Sequence, residues 1–198
     1  GTALEKITDK TGRIAFIGGG MMAEAILKGM LHKEIAEPEM ITISDPSARR
    51  REYLEKTYKV NTTGCNAEAV KTAGFVILAV KPQVADAAIT KEVVDAIPQN
   101  TTVLSIMGSV NLDKLHKLVP GHAVIRVMPN TPLAVGCGMT AIAPDENVSE
   151  EMLDVAKAIF GSCGEIEIIA ESAIEAIAAV SGCGPGYVFM MIDALADA

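Results

Sequence analysis

Residues 13–31 read RIAFIGGGMMAEAILKGML, and this stretch decides the fold. The apolar run at Arg13–Ile17 predicts a strand. Met21–Leu31 predicts a helix, because Ala23, Ile26, Leu27 and Met30 recur at three- and four-residue spacing and make one apolar face. Three residues without side chains, Gly18, Gly19 and Gly20, stand between the two. A strand that meets a helix through bare backbone admits an anion closely, and the free N–H groups and positive dipole end of the helix hold it. Gly18 through Ala23 fits G-x-G-x-x-A in the strand–turn–helix context that the dinucleotide fingerprint requires. In that reading Gly18 makes the tight turn, Gly20 lets the backbone approach a pyrophosphate, and Ala23 keeps the helix close to the sheet.

Outward from this stretch, strand and helix signals alternate. Strands are expected at Met40–Ser44, from Val60, at Gly74–Val80, Thr102–Ile106, Ala123–Val127, Gly138–Ala143 and Glu165–Ile168. Helices are expected at Ala48–Lys56, over a short span to Lys71 capped by Asn66, at Gln83–Ala96, at Asn111–Lys117, and after Ser149 as cap. Such alternation implies crossover units and a Rossmann-type, doubly wound, mostly parallel sheet in an α/β domain. The pattern changes near residue 170. An Ala-rich helix at Glu171–Val180, the break SGCGPG, and a helix from Tyr187 to Ala198 read as the start of an all-helical domain. The expected division is 1–170 for the dinucleotide-binding domain and 171–198 for a helical substrate and dimerisation domain, cut short. The last helix carries an apolar stripe, Val188, Met191, Ile192 and Leu195.

Composition narrows the function. Apolar residues make up 49% of the 198, enough for a large core, while aromatics are only 4% and Trp is absent, so Ala, Ile, Val and Met must fill it. Lys and Arg total 17 against 25 acids, and the net charge of -8 argues against nucleic acid or an anionic membrane as partner. The longest clean apolar run, Phe75 to Val80, is far too short to span a bilayer. The polar N-terminus is not a signal peptide. Cys65, Cys137, Cys163 and Cys183 have no metal-knuckle or redox-pair spacing, which suits free thiols in a reducing cytoplasm. His32, His116 and His122 are scattered, and no metal site or catalytic side chain is assigned.

The remaining chemistry gathers at the carboxyl ends of strands, where a doubly wound sheet binds its ligand. After the second strand come Ser44-Asp45-Pro46-Ser47 and Arg49-Arg50-Arg51. Asp45 suits the ribose hydroxyls of NAD; Ser44, Ser47 and an arginine suit the 2′-phosphate of NADP. Ala79-Val80-Lys81-Pro82 ends the fourth strand with a stiff turn that brings Lys81 near the cofactor. Met128-Pro129-Asn130-Thr131-Pro132 makes a rigid polar loop at the same edge. From residue 158 on there are six acids and no Lys, Arg or His. A substrate carboxylate at SGCGPG therefore needs backbone amides, or residues from elsewhere.

The stretches FIGGGMMAEAI, AVKPQ, VIRVMPNTP, GMT and AVSGCGPGYVFMMIDALADA, in this order, resemble the pyrroline-5-carboxylate reductases. The resemblance implies reduction of 1-pyrroline-5-carboxylate to L-proline with hydride from NADP or NAD in reduced form, the last step of proline biosynthesis. It places Gly18, Gly19, Gly20, Met21 and Met22 at the pyrophosphate, Ser44 and Asp45 near the ribose, and Asn66, Ala79, Val80, Lys81 and Pro82 along the cofactor. It places Glu171 and Ser181, Gly182, Cys183, Gly184 and Pro185 by the substrate. It implies a homodimer or higher homo-oligomer through the C-terminal helices. The chain departs from the family at Met107-Gly108-Ser109, Cys183 and Gly186. Two other readings are a reductase of another small imine or carbonyl acid, and a dinucleotide-binding sensor without turnover. The absence of lysine after Lys157 disfavours the first, and the two polar loops near the nicotinamide end disfavour the second.

Overall fold

The computed structural model of the protein describes residues 5–129 and 138–179. In chain order the elements are α1 (Thr8–Thr11), β1 (Arg13–Ile17), α2 (Met21–His32), β2 (Ile41–Ser44), α3 (Ala48–Tyr58), β3 (Asn61–Thr63), α4 (Asn66–Val70), β4 (Ala73–Leu78), α5 (Ala85–Ala88) and α6 (Lys91–Ala96). Then follow β5 (Thr102–Ser105), α7 (Leu112–Leu118), β6 (Val124–Pro129), β7 (Gly138–Pro144), α8 (Glu150–Gly161), β8 (Gly164–Ile168) and α9 (Glu171–Ala179).

The strands form one eight-stranded sheet in the order β3-β2-β1-β4-β5-β6-β7-β8. Strands β1 to β6 are all parallel to their neighbours, β7 runs antiparallel to β6, and β8 is parallel to β7. The reversal follows from the connection. No helix stands between β6 and β7, and a parallel return needs a crossover.

Side chains alternate across the sheet, so β1 serves two cores. Ile14 and Phe16 face the layer made by α2, Leu54 of α3, and Val155, Ala156, Ile159 and Phe160 of α8. Ala15 and Ile17 face Ala69 and Val70 of α4, Ala85 of α5, Val93 of α6 and Leu115 of α7. All four β1 residues from Ile14 to Ile17 are fully buried, as the middle of a parallel sheet demands. Each of Phe16 and Phe75 contributes roughly 2–3 kcal/mol by leaving water.

Ser149 caps α8 as expected, its Oγ accepting from the Met152 amide at 3.1 Å. Three local expectations are corrected. Residues 83–96 do not form one helix. A 3-10 turn at Pro82–Val84 leads into α5, the backbone leaves helical angles at Ile89 (ψ 72°), and Thr90 caps α6 by accepting from Val93 N. The break sends Ile89 into the core, and the Thr90 hydroxyl competes with helix continuation. Asn66 does not cap α4: the cap is Cys65, and Asn66 is the first helical residue. Finally, the polar N-terminal stretch contains the short helix α1, closed by Gly12 at φ +69°. Its last carbonyl, on Thr11, lies over β4, where a Cβ on Gly74 would fall 1.7 Å from it. Gly74 is also the extra residue of a bulge, since Arg13 pairs with Ala73 and Ile14 with Phe75. Among the described residues no helix is long and apolar enough to cross a membrane.

Candidate functional site

The three glycines join β1 to α2 in three different ways. Gly18 has φ +102°, a left-handed value that L side chains resist, and a Cβ there would stand 2.6 Å from the carbonyl oxygen of Ala79. Its amide donates to Ser44 O at 2.8 Å, so the turn is tied to β2 while pressed against the end of β4. Gly19 is closed in by Leu54 Cδ1 at 2.9 Å and Ile43 Cγ2 at 3.0 Å from an added Cβ. Gly20 is the N-cap of α2, and an added Cβ would meet nothing within 4 Å. Sterics within the protein thus account for the first two glycines and leave the third to an outside group. The first-turn amides that follow Gly20 have no intrahelical carbonyl to bind, as at every helix start.

This turn lies at one end of a cleft of about 470 Å³. Gly18, Gly19 and Gly20 line it together with Ser44, Asp45, Pro46, Gly64 and Asn66 on one side. On the other are Ala79, Val80, Lys81, Val84, Ala87 and Ala88. The cleft opens where the strand order reverses, between β2-β1 on one hand and β4-β5 on the other, which is the topological switch point of a doubly wound sheet. Of the residues expected at a cofactor, Met21, Met22 and Pro82 are not among those lining it. Met21 and Met22 stand exposed on the first turn of α2.

The polar groups of the cleft brace one another. Asp45 accepts from the Gly19 amide through Oδ2 (3.1 Å) and from the Ser47 amide through Oδ1 (2.9 Å). Its carboxylate therefore holds the glycine turn to the end of β2, and each oxygen keeps a further lone pair. Ser44 Oγ donates to Asn66 Oδ1, and Asn66 Nδ2 donates to Ala88 O at 2.9 Å. Asn66 thereby joins β2 to α5 across the cleft. The three arginines separate. Arg49 is exposed, Arg51 donates to Asp45 O at 2.8 Å, and Arg50 donates through Nε to Gly19 O. Arg50 also reaches Glu24 at 3.4 Å and lies 5.1 Å over the Tyr53 ring. Burial first, and then the Glu24 carboxylate, push the Tyr58 phenol behind this group well above its ordinary range, so it stays neutral.

A second polar cluster surrounds Arg126, which sequence reasoning missed. Arg126 sits in the middle of β6, only 3% exposed. Its guanidinium donates to Glu175 Oε1 (2.7 Å), Glu171 Oε2 (3.3 Å) and Gly108 O (2.8 Å). Glu171 Oε2 also accepts from the Leu112 amide at 2.7 Å, at the start of α7. Glu171, expected by the substrate, is thus placed between α7 and β6, outside the cleft described above. The available signal was a lone cation in the apolar strand VIRVM, since a charge there needs a buried partner. Ser181 to Pro185, and the loop residues Asn130 to Pro132, lie outside the described residues.

Comparison with known proteins places this geometry. Residues 13–109 match the family model described as NADP oxidoreductase coenzyme F420-dependent. A pyrroline-5-carboxylate reductase from Synechocystis is 44% identical over 93% of this chain and 68% of its own length. Among solved structures, the pyrroline-5-carboxylate reductase of Coxiella burnetii superposes with a TM-score of 0.81 at 31% identity, over 92% of this chain and 68% of that one. The Plasmodium falciparum pyrroline carboxylate reductase with NADP bound superposes with a TM-score of 0.74 at 30% identity, over 93% of this chain and 68% of that one. This chain spans about two thirds of the length of such relatives.

Proposed function

The chain belongs to the pyrroline-5-carboxylate reductase family of NAD(P)H-dependent oxidoreductases, and on that premise we propose that it supplies the dinucleotide site for reduction of 1-pyrroline-5-carboxylate to L-proline. When bound, the reduced dinucleotide supplies the hydride. The residues present suit that group. Gly20 leaves its Cβ space open at the start of α2, so a pyrophosphate can approach the backbone, and the first-turn amides of Met21 and Met22 and the helix dipole hold the charge. Ser44 and Asp45 meet the ribose, with Asn66 fixing the Ser44 hydroxyl. Ala79, Val80, Lys81 and Pro82 follow β4 along the cleft toward the nicotinamide half.

We read residues from 171 on as the start of the helical domain, with Glu171 and the stretch Ser181–Pro185 serving the substrate. We read the C-terminal helices as the contact between subunits of a homodimer or larger assembly in the cytoplasm. The single observation that carries the dinucleotide assignment is the open face of Gly20 at the switch point. The test is spectrophotometric: full-length protein with 1-pyrroline-5-carboxylate and each reduced cofactor in turn. Oxidation of NADPH or NADH dependent on the imine acid is expected. No oxidation with either would overturn the reading.

A further inference from the structure

We propose that Arg126 is a positioning residue, which sets helix α9, and the substrate stretch that follows it, against the floor of the cofactor cleft. The proposal rests on the functional reading above.

Arg126 is nearly fully buried in β6, and it contacts three elements through hydrogen bonds. Two of its contacts are Glu171 and Glu175, one turn apart on α9. The third is the carbonyl of Gly108, just after β5. That exit is tied in turn to the end of β4, because the Ile106 amide donates to Leu78 O at 3.1 Å, and Ala79 of the cleft follows directly. Glu171, Ile174 and Glu175 lie on one face of α9, at i, i+3 and i+4. Ile174 is the fully buried knob of that face, packed with Ala141, Ala143 and Ile169. One apolar knob fixes the depth of α9, and the paired carboxylates around one guanidinium fix its rotation. Ala179 ends the helix two residues before Ser181, so a rotation of α9 displaces the substrate stretch relative to the cofactor. A planar, forked cation is the side chain suited to hold two carboxylates and a carbonyl together, and lysine cannot reproduce that span. The Arg126 Nε–H has no partner among the described residues, so the whole of this buried charge is balanced through the terminal nitrogens.

The experiment uses the full-length protein with Arg126→Gln. At saturating reduced cofactor, kcat/KM for 1-pyrroline-5-carboxylate is expected to fall about 100-fold, the scale of a misplacement of roughly 1 Å. Cofactor Kd, read by titration without turnover, is expected to stay within about twofold, since no cleft residue touches the cluster. Arg126→Lys should recover only a minor part of the loss. A folded Arg126→Gln protein with kcat/KM within threefold of the parent would overturn the proposal, as would an equal loss of cofactor affinity. Should Arg126→Gln not fold, Glu175→Gln removes one half-exposed arm, and about a 3- to 10-fold loss of kcat/KM at unchanged cofactor Kd is expected. An unaltered value overturns the proposal. Hydrogen exchange gives a readout independent of activity: residues 171–179 should exchange at least tenfold faster in either variant, with β1 and β4 unaffected. Unchanged exchange in α9 counts against Arg126. Absence of turnover in the parent protein counts against the activity alone.

Discussion

Gly18 and Gly20 are the same residue two positions apart, yet they answer to different partners. Gly18 is demanded by the chain itself, through φ +102° and the Ala79 carbonyl. Gly18→Ala is expected to cost about 3 kcal/mol, combining left-handed strain with the clash, and urea denaturation would read it as a lowered midpoint. Gly20→Val should cost no more than about 1 kcal/mol, the scale of a helix cap, because its Cβ meets nothing within 4 Å. It should nevertheless abolish dinucleotide binding by filling the space of the pyrophosphate. A folded variant with unchanged affinity in a titration would show that the pyrophosphate does not lie there. Asp45→Ser removes a charge expected about 5 Å from the 2′ position, worth roughly 1 to 3 kcal/mol against a phosphate. The ratio of kcat/KM for NADPH over NADH should therefore rise about 5- to 150-fold, and an unchanged ratio would assign cofactor choice to the serines or arginines. Both cofactors should give usable activity in the parent. The duties of the glycines were legible because G-x-G-x-x-A fixes each position against strand and helix. Those of Asn66 and Arg126 were not. Each acts across the fold on residues at least 18 positions away, Ser44 and Ala88 for one, Gly108, Glu171 and Glu175 for the other. Such pairings leave no local periodicity.

Elements were legible where one strong period ran their whole length. β1, α2, β4 and α8 emerged within a few residues of expectation, since each buries one unbroken apolar face or run. The helix expected over 83–96 was a misreading of continuous helix-compatible residues. Its break at Ile89 and Thr90 is imposed by burial of Ile89 and by the Thr90 cap. α1 went unseen because four residues carry too little pattern to register. Yet α1 has a firm seat, and Gly74→Ala tests it. The new methyl would meet the Thr11 backbone carbonyl at 1.7 Å, and a backbone atom cannot swing aside as a side chain does. Destabilisation of about 3 kcal/mol is expected, the upper end for overpacking. Equal thermal midpoints for variant and parent would mean that α1 lifts off without consequence.

For the whole molecule, the alternation of strands and helices gave the parallel sheet, and the absence of a helix between Val127 and Gly138 held the signal for the reversed β7. The order of strands was not written in any period. It follows from crossover rules and the covering of both faces. Assembly is a property of the complete protein, and its full-length form should sediment as a dimer or larger, since the stripe Val188, Met191, Ile192 and Leu195 needs cover. A stable monomer would refute this. The strand order also sets a schedule during synthesis. β1 leaves the ribosome early, but its two neighbours, β2 and β4, are encoded later, the second about sixty residues downstream. At roughly 5–20 residues per second, β1 waits about 3 to 12 s for its last neighbour. Through that interval the most apolar strand of the sheet offers at least one bare edge to any other nascent chain. The protein's yield in a crowded cell is thus exposed to the pace of translation between Ile17 and Leu78, and slowing that pace should raise its demand for chaperones.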